Sequence, residues 1–128
     1  MATLSLVPQV VGIALYAGDG AALRITVRDV ATPPAPIDLT GTVRAQVRAS
    51  RPDVNPLLDF AVDTSDAANG VVVLTLTGDQ TASLLGGTEG PFSGYYDVEW
   101  TPAGAEPVTL VQGDVSCVLD VTRNGAGP

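Results

Sequence analysis

Apolar and polar residues alternate one for one along much of this chain, and many of the apolar positions are β-branched. That combination fits half-buried strands better than helices. The run Leu23-Arg24-Ile25-Thr26-Val27-Arg28 turns Leu23, Ile25 and Val27 toward a core and Arg24, Thr26 and Arg28 away from it. Val43-Arg44-Ala45-Gln46-Val47-Arg48 repeats the pattern, so two half-buried antiparallel strands with Arg-bearing outer faces are predicted. Ahead of them, Val10 to Tyr16 is an apolar run ending at Ala17-Gly18-Asp19-Gly20, whose glycines permit a tight reversal; a first hairpin is predicted there. Ala31-Thr32-Pro33-Pro34-Ala35-Pro36 has too few backbone donors for a central strand and reads as an exposed loop or edge, after which Ile37 and Leu39 return to the core.

A second proline-containing loop, Ser50 to Pro56, leads to Leu58-Asp59-Phe60-Ala61-Val62-Asp63, one strand with Leu58, Phe60 and Val62 on a common face. Thr64 to Gly70 is a turn cluster, and Val71 to Thr77 is a central strand because its start is apolar on both faces. Gly78 to Gly86 carries the one helical signal, an Asp79 able to cap, a short Ala/Leu stretch and a terminal Gly, enough for one or two turns. Gly86, Gly87, Gly90 and Gly94 mark a loop before Tyr95 to Trp100, where Tyr96, Val98 and Trp100 point inward. Thr101 to Pro107 draws the last hairpin, and Gly113 predicts a bulge or bend inside one long strand running from Val108 to Thr122. Short strands at regular spacing with one helical turn describe an all-β, two-sheet antiparallel sandwich. Its expected limits are 16–123, with 1–15 an N-terminal arm or first strand and 124–128 a flexible tail.

Composition narrows the chemistry. At 128 residues, with 45% hydrophobic and 16% charged residues, the chain has the size and apolar content of a single folded domain. With His 0 and Cys 1 there is no imidazole base, no His-Cys zinc set and no intrachain disulfide. The net charge of -8 opposes binding to nucleic acid, whose phosphates are held by cations. All 6 basic residues are Arg: Arg24, Arg28, Arg44, Arg48, Arg51 and Arg123. Each can fork onto a carboxylate within the domain or across an interface, or sit solvated on a strand. The complete absence of Lys, beside abundant Ala, Gly, Pro and Val, points to a GC-rich coding genome. The start has no basic region and is broken by Pro8, and no window is long and apolar enough to span a bilayer, so a soluble protein made in a cytoplasm, with no membrane partner, is expected.

The candidate reactive groups reduce to carboxylates and one thiol. Asp97 and Glu99 lie two apart on one strand face, and Asp59 could join an acid from another strand, but a glycosidase needs its two acids across a cleft. Asp63, Ser65, Asp66 and Asn69 cluster in one loop with oxygen ligands suited to calcium, yet the spacing is not that of a calcium loop and turn formation explains these residue types. Gly86-Gly87-Thr88-Glu89-Gly90 lacks the Lys and the strand-helix setting of a phosphate loop. Cys117 sits in an alternating apolar segment and reads as a small buried hydrophobe. No catalytic, cofactor-binding or metal residue is assigned.

Gly18-Asp19-Gly20 leading into Leu23–Arg28, the segment Ile37-Asp38-Leu39-Thr40-Gly41-Thr42-Val43-Arg44-Ala45-Gln46-Val47-Arg48, and Gly70 to Thr77 with Gln80-Thr81 have a characteristic order and spacing. So do Tyr96-Asp97-Val98-Glu99 and the stretch from Gly113-Asp114-Val115 to Asp120-Val121-Thr122-Arg123. Together they resemble a β-sandwich module common in structural proteins of tailed bacteriophages, found as the first domain of tail-fibre or baseplate proteins or as a short separate product. The resemblance covers Tyr16 to Arg123 and implies an immunoglobulin-like sandwich in a virion, without catalysis or cofactor. Its expected partners are other virion proteins, in multiple symmetric copies, and tail or baseplate is favoured over capsid decoration. The apolar stretch Leu4-Ser5-Leu6-Val7 could dock on a neighbour by adding a strand to an open sheet edge, or pair within its own sandwich. A glycan-binding module is the rival reading, stacking sugars on some of Tyr16, Phe60, Phe92, Tyr95, Tyr96 and Trp100; exposure of Phe92 and Tyr95 on one flat face, together with glycan binding, would favour it. An acid-pair hydrolase through Asp97 and Glu99 is the third.

Overall fold

The alternating segments fold into two packed sheets in a computed structural model that describes residues 9–29, 35–52 and 55–119. In chain order the elements are β1 (Gln9–Val10), β2 (Ile13–Ala17), β3 (Ala21–Thr26), β4 (Gly41–Arg48), β5 (Leu58–Asp59), β6 (Ala61–Asp63), a 3-10 turn (Ala67–Asn69), β7 (Val71–Leu76), helix α1 (Gly78–Ser83), β8 (Phe92–Pro102) and β9 (Val108–Leu119). The larger sheet runs β9-β8-β4-β5 with β1 and β2 both added in parallel on the outer side of β9. The smaller is β3-β7-β6, antiparallel throughout. Placing β9-β8-β4-β5 against β3-β7-β6 gives the strand order of an immunoglobulin-like sandwich, so the fold is all-β as the patterning predicts.

The core lies between the sheets and is supplied by the inward half of each alternation. Val43, Ala45 and Val47 of β4, Tyr96, Val98 and Trp100 of β8, and Val115 and Cys117 of β9 face Ile25 of β3 and Val72, Leu74 and Leu76 of β7. Full burial of a Val or Leu side chain contributes about 1.5–3 kcal/mol relative to exposure, so this interface dominates the stability. Leu39 is also fully buried, ahead of β4. The loop that follows β3 lies partly outside the described residues, as do Leu4 to Val7 and the 124–128 tail.

Several local expectations give way to the tertiary context. Gly18 and Asp19 do reverse the chain, with Asp19 N–H donating to the Tyr16 carbonyl, but β2 and β3 are not a hairpin: β2 joins the larger sheet and β3 the smaller. Alternation sets which face is buried and leaves the partner open, and here β9 takes β2 in parallel. The sandwich accordingly begins by Gln9, ahead of the expected Tyr16 boundary, and Gln9–Val10 and Ile13–Ala17 are strands of its larger sheet. The single strand expected over Leu58–Asp63 is two: β5 pairs with β4, the chain crosses at Phe60, and β6 pairs with β7. Leu58, Phe60 and Val62 still share the inward face because the crossing keeps the period of two.

Helix α1 is capped by Thr77 and not by Asp79. The Thr77 hydroxyl accepts from Gln80 N–H and the Gln80 side chain accepts from Thr77 N–H, a reciprocal pair that satisfies two helix-end donors, while Asp79 occupies the first turn. Gly94 is part of β8 and buried, outside the loop it was expected to mark. In β9 the irregularity is displaced from Gly113: the register moves from Val98 opposite Val111 to Glu99 opposite Thr109, leaving Leu110 as the extra residue. That is why Leu110 and Val111, adjacent in sequence, are both buried. Gly113 serves a different purpose. A Cβ there would lie 2.0 Å from the Val11 carbonyl oxygen, so only glycine lets the chain between β1 and β2 cross this close to β9.

Candidate functional site

The outer face of the larger sheet brings together Arg44, Arg48, Asp59, Asp97 and Glu99. Cross-strand register sets Arg44 opposite Glu99, Gln46 opposite Asp97 and Arg48 opposite Tyr95, while Asp97 faces Gln112 on its other side and Gln46 faces Asp59. Opposite charges directly across a ladder stabilise a sheet by a few tenths to about 1 kcal/mol per pair. The side chains link laterally: Gln46 Nε2 donates to Asp59 Oδ1 at 2.8 Å, and Arg48 Nη2 donates to Gln46 Oε1 at 2.6 Å. Arg51, on the loop after β4, lays its guanidinium 4.9 Å from the centre of the Tyr95 ring, a cation–π arrangement, with its Nη1 3.4 Å from Gln112 Oε1.

These contacts enclose two shallow hollows on the same face. One, of about 170 Å³, is bounded by Arg48, Arg51, Tyr95, Asp97 and Gln112; the other, of about 140 Å³, by Arg44, Gln46, Arg48, Asp97 and Glu99. Asp97 and Glu99 are neighbours along one face of β8 and do not oppose each other across a cleft, so the arrangement lacks the two-sided geometry of a glycosidase. What it offers is a field of alternating charge and amide groups across neighbouring strands of one sheet.

The other candidate residues lie elsewhere. Asp63 Oδ1 accepts from Ser65 N–H at 2.9 Å, and Asp66 Oδ1 accepts from Asn69 Nδ2 at 2.7 Å, so both carboxylates hold the turn that precedes β7. Hydrogen bonding by Ser65, chiefly through its backbone, holds the Asp63 carboxyl below its usual range. Among the described residues no group of three or more Cys, Asp or Glu is placed to hold a metal ion. Cys117 is fully buried against Thr81, and burial raises its thiol pKa, the opposite of what a nucleophile needs. Gly86 to Gly90 form the exposed turn between α1 and β8.

The aromatic residues are mostly core. Phe60, Tyr96 and Trp100 are buried, with Phe60 and Tyr96 tilted against each other at 6.3 Å, and Phe92 packs inward. Phe92 and Tyr95, three apart on one strand, face opposite sides of the sheet, so they do not form the flat platform a sugar would stack on. Tyr16, on β2, is exposed.

Sequence patterning places Arg44, Arg48, Asp97 and Glu99 on outer strand faces. It does not reveal that Gln46, Arg51, Tyr95 and Gln112 join them, because those meetings depend on register across β4, β8 and β9 and on the path of the Arg51 loop. No helix among the described residues is long and apolar enough to cross a membrane. The chain matches no protein-family model, and comparison with curated proteins gives no significant match.

Proposed function

We propose that this protein is a non-catalytic structural subunit of a tailed-bacteriophage particle, a tail or baseplate component that works by contacting other virion subunits. The observation that carries the reading is the outer face of the larger sheet, where Arg44, Arg48, Asp97 and Glu99 form a charged surface with no facing wall among the described residues. Such a surface gives register and specificity to a protein contact and does not enclose a substrate. The order of motifs from Gly18 to Arg123 supplies the viral setting, and the immunoglobulin-like sandwich is the fold expected of it.

The test is immunogold electron microscopy, with antibody to this chain, on purified particles of the phage that encodes it. Label on the tail or baseplate is the expected result. Label spread over the shell would transfer the protein to capsid decoration, and particles without the chain would end the virion reading. Charge reversal at Arg44 and Arg48 should release the subunit from the particle while the isolated protein stays folded.

A further inference from the structure

Sheet edges with unpaired backbone groups invite pairing with another chain, and proteins usually protect them with charge, proline or shortness. Among the described residues β5 and β6 are two and three residues long and contain Asp59 and Asp63, and β3 carries Arg24. β1 is as short as β5, but β2, five residues long, has no charge or proline. Residues 9–18, Gln-Val-Val-Gly-Ile-Ala-Leu-Tyr-Ala-Gly, contain no Asp, Glu, Arg or Pro, in a chain whose net charge is -8. Strand β2 is paired only on its β9 side among the described residues. Among the described residues, four of the five exposed large hydrophobics gather here: Val10 at 74% exposure, Tyr16 at 52%, Val11 at 42% and Val118, in register with Tyr16, at 39%.

We infer that the β2 edge is a homodimer interface, in which two copies pair β2 with β2 in antiparallel fashion about a two-fold axis at Leu15. The occupant is a second copy because the strand complements itself. With Leu15 facing Leu15 at the axis, Ile13 falls opposite the second copy's Ala17 and Ala14 opposite its Tyr16, so the bulkier side chains flanking the axis each meet an alanine, Ile13 on one face and Tyr16 on the other. Charge favours the same edge. Two molecules of net charge -8 repel over most of their surfaces, and this segment brings no like charges into contact. The two larger sheets would then run on as one across the axis. The inference is independent of the virion reading and applies to the isolated protein.

Sedimentation velocity on the purified full-length chain over a concentration series tests it. The expected result is a concentration-dependent species of about twice the 13.0 kDa chain mass. Ala14→Glu and Tyr16→Glu, both at exposed positions, should each shift the protein to monomer while far-ultraviolet circular dichroism and Tm stay close to those of the parent. An Ala14→Cys, Tyr16→Cys double variant should oxidise to a covalent dimer under native conditions. A parent that is monomeric throughout, or a dimer that survives both Glu substitutions in folded protein, would overturn the assignment.

Discussion

The Tyr96 hydroxyl donates to the Val11 carbonyl oxygen at 2.7 Å, joining β8 to the chain between β1 and β2. The partners are 85 positions apart, so the bond exists only when the sandwich is closed. Val11 N–H donates in turn to the Gln112 carbonyl, and both interactions sit beside the space left open at Gly113.

Burial raises the Tyr96 phenol above its ordinary value of 10.0. An acid whose folded pKa is raised keeps its full stabilising contribution below the unfolded value and loses it as pH climbs from there toward the folded one. Stability should therefore drop above about pH 10, and one of the 3 tyrosines should ionise late in an absorbance titration. Tyr96→Phe should lower stability at neutral pH by about 0.5–1.5 kcal/mol and remove the late-titrating step. Denaturant unfolding at pH 7 and pH 10.5 measures both effects.

Gly113→Ala should destabilise the fold by about 1–3 kcal/mol, since the added methyl group collides with backbone and cannot be relieved by a rotamer change. Amide exchange should quicken in β1 and β2 more than in β4. Equal loss of protection everywhere would contradict a local clash.

Thr81 is fully buried, and its hydroxyl accepts from Gly18 N–H at 3.1 Å while lying 2.9 Å from the Asp19 carbonyl and 3.0 Å from that of Gly78. Thr81→Val keeps the shape and strands these backbone groups, so a loss of about 1–3 kcal/mol is expected in thermal or chemical unfolding. Thr81→Ser, which keeps the oxygen, should retain more of the stability than Val does.

At acid pH the exposed turns matter. The Thr40 hydroxyl, then the Thr40 backbone N–H, hold the Asp38 carboxyl below its usual 3.8, and the Ser65 backbone and side chain do the same for Asp63. A depressed carboxyl stabilises above the unfolded pKa, and that contribution is lost as pH falls through the lower folded value. Asp38→Asn with Asp63→Asn should flatten the fall in stability below about pH 4, as read from Tm against pH.

Faces were legible in the sequence and neighbours were not. The alternation in Val43–Arg48 and Tyr95–Trp100 identifies the buried residues because each strand has one wet side and one dry side. Nothing in Ile13–Ala17 reveals that its partner is β9, reached across most of the chain and in parallel, or that Phe60 is where the chain changes sheets. The Thr77–Gln80 cap was hidden for a simpler reason: Asp79 is also a good capping residue, and only the backbone path distinguishes the two. The same limit applies to the candidate face, whose Arg51–Tyr95 stacking depends on a loop.

The parallel lie of β1 and β2 along β9 also governs how the molecule would carry a load. Gln9 sits beside Val111 and Ala17 beside Leu119, so the described chain enters at one end of this ladder and leaves at the other, roughly 26 Å away at about 3.3 Å per residue. Tension applied through those two ends would slide the strands lengthwise, straining their hydrogen bonds together where a hairpin would open one bond at a time. A chain held by those two ends would resist being drawn out.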